Sequence, residues 1–206
     1  MPFAMSAYGH EIDVSVFGRD GKQVADVVVY ALRLDGDVSL PKPDKNAVMD
    51  QIDMQFVPHV LVVQSGTAVD FPNSDSVAHH VYSFSHPNKF VLPMYKGKKH
   101  PPVSFEHSGV VSLGCNIHDH MLGYILVIDS TIFATTNENG QASLSLDTPE
   151  DYAIVIWSPR IRDKAELLSK RVTISDESKA SVTFSLAKKL NAPHGARSDD
   201  AAWSDY

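Results

Sequence analysis

Gly114-Cys115-Asn116-Ile117-His118-Asp119-His120-Met121 is the stretch from which the rest of the chain can be read. It holds the only cysteine, a histidine three residues later and a methionine three beyond that. A lone cysteine is more often a small buried apolar residue than a ligand. Here the spacing favours ligation, because a soft thiolate, an imidazole and a thioether close together suit copper better than the other common metals. Val110-Val111-Ser112-Leu113 leads in and Gly123-Tyr124-Ile125-Leu126-Val127-Ile128 leads out, so the pattern predicts two strands with the candidate ligands on a tight loop between them. One further histidine from elsewhere would complete a His2Cys plane with a weak axial methionine.

Composition narrows the function classes. The 206 residues carry a formal net charge of -7, which argues against nucleic acid as a partner, since that needs clustered Lys and Arg. A single cysteine excludes an internal disulfide. No apolar run approaches the roughly 18 residues of a membrane span. Residues 1–7 are too short for a secretory signal, so a compartment has to come from function.

The rest of the chain reads as short strands separated by turns, an all-β sandwich signal. Residues 10–17 alternate with period two, residues 18–22 turn at Asp20-Gly21, and residues 27–32 form a more buried strand. Residues 35–46 carry Gly36, Pro41 and Pro43 and read as a linker. Further strands are expected at 47–53, 56–63 (with His59 inside), 68–71, 79–84 and 103–105. Pro72-Asn73-Ser74-Asp75 reads as a loop of Asx-type turn formers. Residues 132–136 and 141–146, joined by Asn137-Glu138-Asn139-Gly140, read as a hairpin. A strand at 152–157, a short helix at 163–170 and a final strand pair at 171–174 and 180–186 complete the reading. Beyond Lys188 the chain is polar and small-residue-rich, and is expected to be a flexible tail over 189–206.

Two resemblances organise these pieces. Phe56-Val57-Pro58, Gly66-Thr67-Ala68-Val69-Asp70-Phe71-Pro72-Asn73-Ser74-Asp75, His79-His80-Val81 and the Cys115-x2-His118-x2-Met121 run together resemble the cupredoxins, most closely the plastocyanin and amicyanin branch. The flanks, with Asp20-Gly21-Lys22-Gln23-Val24, Thr135-Thr136-Asn137-Glu138-Asn139-Gly140 and the strand at 152–157, resemble the carboxypeptidase regulatory-like (transthyretin-like or Ig-like) β-sandwich. The whole layout is similar to bacterial periplasmic proteins labelled methylamine utilization protein. These likenesses imply a Greek-key cupredoxin domain at 46–129 inserted in a second β-sandwich made of 8–36 and 130–188. Insertion is tolerated at a surface loop whose ends lie close together.

The resemblance also implies the ligand set: His79, Cys115 and His118 around one type 1 copper, with Met121 axial. Adjacent strand residues point to opposite faces, so only one of His79 and His80 reaches the metal, and the ligand position falls on His79. His80 stands where relatives usually carry Asn, and His120 also departs from the amicyanin pattern. His59, His86, His100, His107 and Met94 read as surface or core. Phe56, Phe71, Val81, Phe84 and Ile125 are expected to keep the metal dry. Asn73 and Asp75 are expected to organise the loop ahead of His79. The implied function is a non-enzymatic, periplasmic one-electron carrier that docks redox proteins near His118. The alternative is a copper-handling protein (a chaperone, resistance or sensing protein), since ten histidines and six methionines permit further sites.

Overall fold

The computed structural model describes residues 10–35, 39–97, 100–146, 148–175 and 179–194. Its strands, in chain order, are β1 (His10–Phe17), β2 (Val28–Arg33), β3 (Ala47–Val48), β4 (Asp50–Ile52), β5 (Gln55–Val57), β6 (Val60–Gln64), β7 (Thr67–Asp70), β8 (Val81–Ser83), β9 (Phe90–Val91), β10 (Val103–Phe105), β11 (Gly109–Cys115), β12 (His118–Ile128), β13 (Phe133–Thr135), β14 (Gln141–Leu146), β15 (Asp151–Trp157), β16 (Ser169–Thr173) and β17 (Ala180–Ser185). The fold is all-β.

Two sets of sheets enclose separate cores. Sheets ordered β14-β1-β17 and β13-β2-β15-β16 come from the two ends of the chain. Alternating residues such as Ile12, Val14, Val16, Val29, Ile154, Ile156 and Phe184 meet in the first core. Sheets ordered β6-β12-β11-β8-β9 and β10-β7-β3, with the β4-β5 hairpin, come from the middle of the chain. Their core gathers Phe56, Val69, Phe71, Val81, Phe105, Val111, Leu113, Ile125 and Val127 with Cys115 and Met121.

β12 touches both halves. Its Ile125 and Val127 face the second core, while Leu126 and Ile128 pack with Val28, Tyr30, Val60, Val62 and Trp157 in a third cluster between the sets of sheets. A strand buried on both faces reads as a continuous apolar run rather than an alternating one, which accounts for the sequence from Tyr124 to Ile128.

Several sequence expectations change in the structure. The run at 56–63 is broken, because Pro58 has no N–H to give a ladder; β5 stops at Val57 and β6 starts at Val60. The segment at 47–53 divides into β3 and β4 around buried Met49, whose N–H donates to the Asp70 carbonyl. Residues 132–146 do not form a hairpin. The turn at Asn137–Gly140 exists, but β13 joins β2 and β14 joins β1 in the facing sheet. Backbone partners outside the turn take its arms: Thr136 N–H donates to Val27 O and Val16 N–H to Gly140 O. The final two strands likewise part, β16 pairing with β15 and β17 running parallel to β1. The helix expected at 163–170 is one 3-10 turn, Ala165–Leu167, and β16 takes over at Ser169.

Asn191 N–H donates to Arg160 O, and the His194 ring stacks on His59 at 4.6 Å. Residues 195–206 lie outside the described residues.

Gly140 tests the packing of this turn. Its φ is +65°, and a Cβ there would lie 2.7 Å from the Val16 carbonyl oxygen and 2.8 Å from the Val24 nitrogen. Both obstacles are backbone, so neither can swing away. Gly140→Ala is therefore expected to cost about 1–3 kcal/mol. Denaturant unfolding measures this, and an unchanged midpoint would contradict the packing of this turn.

Candidate metal centre

β11 and β12 bring the cysteine to the first histidine. The ladder runs regularly to Gly114↔Leu122 and then jumps to Cys115↔His118. Asn116 and Ile117 make the turn, and Asp119, His120 and Met121 fall out of register as a bulge in β12. A bulge re-aims side chains. Here Asp119 and His120 face solvent while Met121 is 2% exposed in the core. The expected loop thus shrinks to two residues, with His118 and Met121 on the strand itself.

The other histidine arrives from the segment before β8. The expected strand at 79–84 is shorter, Val81–Ser83, and His79 is held outside it by a two-bond bridge to Tyr95, N–H to O at 3.0 Å each way. Tyr95 is itself anchored: its hydroxyl donates to Phe71 O at 2.8 Å and accepts from Gln51 Nε2. Burial pushes this hydroxyl above its ordinary pKa, so it stays protonated as a donor. Asn73 closes the loop, donating from Nδ2 to Val77 O and Tyr95 O at 3.0 Å and accepting the Asp75 N–H at Oδ1.

Three electron-pair donors converge as a result. Cys115 Sγ lies 3.7 Å from His79 Nδ1 and 3.5 Å from His118 Nδ1, and the two Nδ1 atoms are 3.1 Å apart. His79 is fully buried, Cys115 is 4% exposed and His118 is half-buried. His80 does not join them. Its backbone N–H instead approaches Cys115 Sγ at 3.5 Å, and its carbonyl accepts the Asn116 N–H. Among the described residues this is the one group of three or more His, Cys, Asp or Glu donors close enough to hold a metal.

The triangle has the size of a metal site. With bonds of about 2.0 Å to nitrogen and about 2.3 Å to sulfur, typical of imidazole and thiolate ligation, a central ion spaces such donors by roughly 3–4 Å. Donors at these distances are held together by a shared proton or by a cation, and only a metal ion serves all three at once. A thiolate with two imidazoles, and a buried thioether in the same core, is the donor set that selects copper.

Asp75 stands behind His79. Its Oδ2 lies 3.0 Å from His79 Nε2 and accepts the Met54 N–H at 2.7 Å; its Oδ1 accepts the Ser76 N–H at 2.8 Å. The Met54 N–H first, then the His79 ring, hold this carboxyl below the usual carboxylate range.

Phe56, Phe71, Val81 and Ile125 are buried in the core that also holds Cys115 and Met121, but Phe84 is 70% exposed and lines no core. It rests on Tyr82 at the surface instead. His120 is exposed, with its ring 6.3 Å from that of His118. His100 packs edge-on against Tyr95, and Met94 is exposed. His59 binds the Leu122 carbonyl through Nδ1 at 3.1 Å. Gln51 and Tyr95 carry no sequence signal for a role here, whereas an acid four residues before a candidate histidine was a readable clue to Asp75.

No protein-family model and no curated protein matches this chain. Among solved structures, a purple cupredoxin from Nitrosopumilus maritimus is similar at 25% identity over 40% of this chain and 100% of that one, with a TM-score of 0.36. A reduced amicyanin variant is similar at 21% identity over 48% of this chain and 99% of that one, TM-score 0.39. A copper-containing nitrite reductase from Thermus scotoductus is similar at 23% identity over 48% of this chain but 26% of that one, TM-score 0.40.

The loop that carries His79 depends on Asn73, which is 8% exposed and bonded at both ends of its amide. Asn73→Ala leaves the Val77 carbonyl and the Asp75 N–H short of a partner and takes one of the two bonds from the Tyr95 carbonyl, and is expected to cost about 1–3 kcal/mol. Chemical unfolding of the metal-free protein checks this, and a loss of only a few tenths would contradict the role given to Asn73.

Proposed function

We propose that residues 46–129 form a cupredoxin-type domain in which His79, Cys115 and His118 hold one type 1 copper, with Met121 as the long axial ligand, and that the protein carries single electrons. The observation that supports this most strongly is the donor triangle itself, assembled from three separate backbone anchors. The metal would supply the chemistry by cycling between Cu(I) and Cu(II).

The chain's residues would make that cycle easy. Cys115 sits at the end of a paired strand, His79 in a bridge to Tyr95, and the His80 N–H approaches the sulfur. Ligands fixed this way move little when the charge between them changes. Three donors and an axial Met121 would fill the coordination of the metal and leave no open position for a substrate, which is why we read a carrier rather than an enzyme. His118 is the least buried of the donors, beside Ile117, which is 44% exposed. Redox proteins would dock there. We place the protein in the periplasm on the strength of this reading; no helix among the described residues is long and apolar enough to cross a membrane. The flanking sheets would serve as a scaffold, with the copper domain inserted between 8–36 and 130–188.

Copper handling is the alternative, and copper titration separates the two. The carrier reading expects one tightly held copper per chain and an intense visible absorption on oxidation, from charge transfer between thiolate and Cu(II). Cys115→Ser should abolish that absorption, while His80→Ala should keep it. A colourless oxidised protein would contradict the carrier. Several coppers per chain, passing readily to a chelator, would favour handling.

A further inference from the structure

We propose that residues 190–194 are a pH-sensitive strap across the seam between the two sets of sheets: the stacked imidazoles of His194 and His59 hold it shut near neutral pH, and charging both rings in acid releases it and uncovers the cavity beneath. The strap stands on the fold alone and does not depend on the copper reading.

The strap is anchored on one side and latched on the other. It leaves β17 in the first set of sheets, where the Asp163 carboxylate accepts the Ala187 and Lys188 N–H groups at 2.7 and 3.3 Å. Asn191 then pairs with Arg160, its N–H donating to Arg160 O at 2.8 Å and its carbonyl accepting from Arg160 Nε at 3.1 Å. Further on, the His194 ring lies on His59 with centroids 4.6 Å apart and planes 8° from parallel. His59 belongs to the second set. It sits between β5 and β6, its carbonyl accepts the Tyr124 N–H at 2.9 Å, and its Nδ1 meets Leu122 O at 3.1 Å. The strap covers a cavity of about 410 Å³, lined by Val28 from one set, by Val60 and Val62 from the other, and by His59, Arg160 and His194.

The latch is a pair of flat rings, so its strength depends on charge. A carbonyl can only accept, so His59 Nδ1 carries a proton and acid adds the second at Nε2. Two neutral rings, or one neutral and one charged, stack favourably. Two imidazolium rings at 4.6 Å repel. Tyr124, edge-on to His59 at 5.5 Å, adds no charge, because burial raises its hydroxyl above the ordinary pKa. Asp26 and Arg160 line the same cavity with opposite charges, and among the described residues neither stacked imidazole forms an ion pair. Burial first, then the charge of His194, holds His59 below the ordinary imidazole pKa of about 6.5. The open strap therefore binds more protons than the closed one. Closure is complete above about pH 6.5 and is lost as the pH falls below it.

Amide hydrogen exchange, read by NMR on the full chain across a pH series, tests the strap with or without metal. Each rate is divided by its intrinsic value at that pH, so that only opening remains. Protection of the Asn191 N–H should fall about tenfold between about pH 7.5 and about pH 5, while the amides of β1 keep theirs. His194→Phe retains a flat ring and removes the charge, so its Asn191 protection should be the same at both ends of the series. An Asn191 amide that is unprotected near neutrality in the wild-type protein, or whose protection ignores pH, overturns the proposal. So does an equal fall in His194→Phe, which would put the pH response elsewhere. A parallel fall in the β1 amides overturns it too, since the whole fold would then be opening.

Discussion

Two imidazole nitrogens and a cysteine sulfur do not gather at 3.1–3.7 Å in a dry interior by hydrophobic collapse. Each loses hydration and turns its polar atom toward the other two. The arrangement persists only because the main chain behind each donor is committed elsewhere. Cys115 is the last residue of β11, His118 the first of β12, and His79 is bonded twice to Tyr95. Even the contact between His80 N–H and Cys115 Sγ comes from the backbone. Much of the middle of the molecule can be understood as the support for that triangle.

The support extends away from the site along β12. This strand begins with one donor, buries Met121 in its bulge, and ends between the two sets of sheets with Leu126 and Ile128. The same strand therefore carries candidate ligands at one end and cements the sandwiches at the other. Its bulge separates the two tasks, because Asp119 and His120 can face solvent without disturbing the ladder beyond Leu122.

What could be read from the residues was local and chemical. The all-β character, the donor types and their spacing, and the Asx-rich loop before His79 follow from patterns within a few residues. Which strand pairs with which is not local, and there the reading failed. Asn137–Gly140 has every mark of a hairpin turn, yet Val16 and Val27 capture its backbone groups and send its arms into facing sheets. The last two strands part for the same reason. Pro58 breaks a strand that hydrophobicity alone would have continued. Phe84 looks like core and lies in the open, because β8 ends one residue before it. Gln51 and Tyr95 brace His79 through contacts spanning tens of positions, which no short motif encodes.

Convergence of three donors on one ion is the claim on which all else hangs, and X-ray absorption at the copper edge of the loaded protein measures it directly. The account predicts one short sulfur neighbour together with two imidazole nitrogens at about 2.0 Å. A copper surrounded by nitrogen and oxygen alone, with no sulfur at bonding distance, would contradict it.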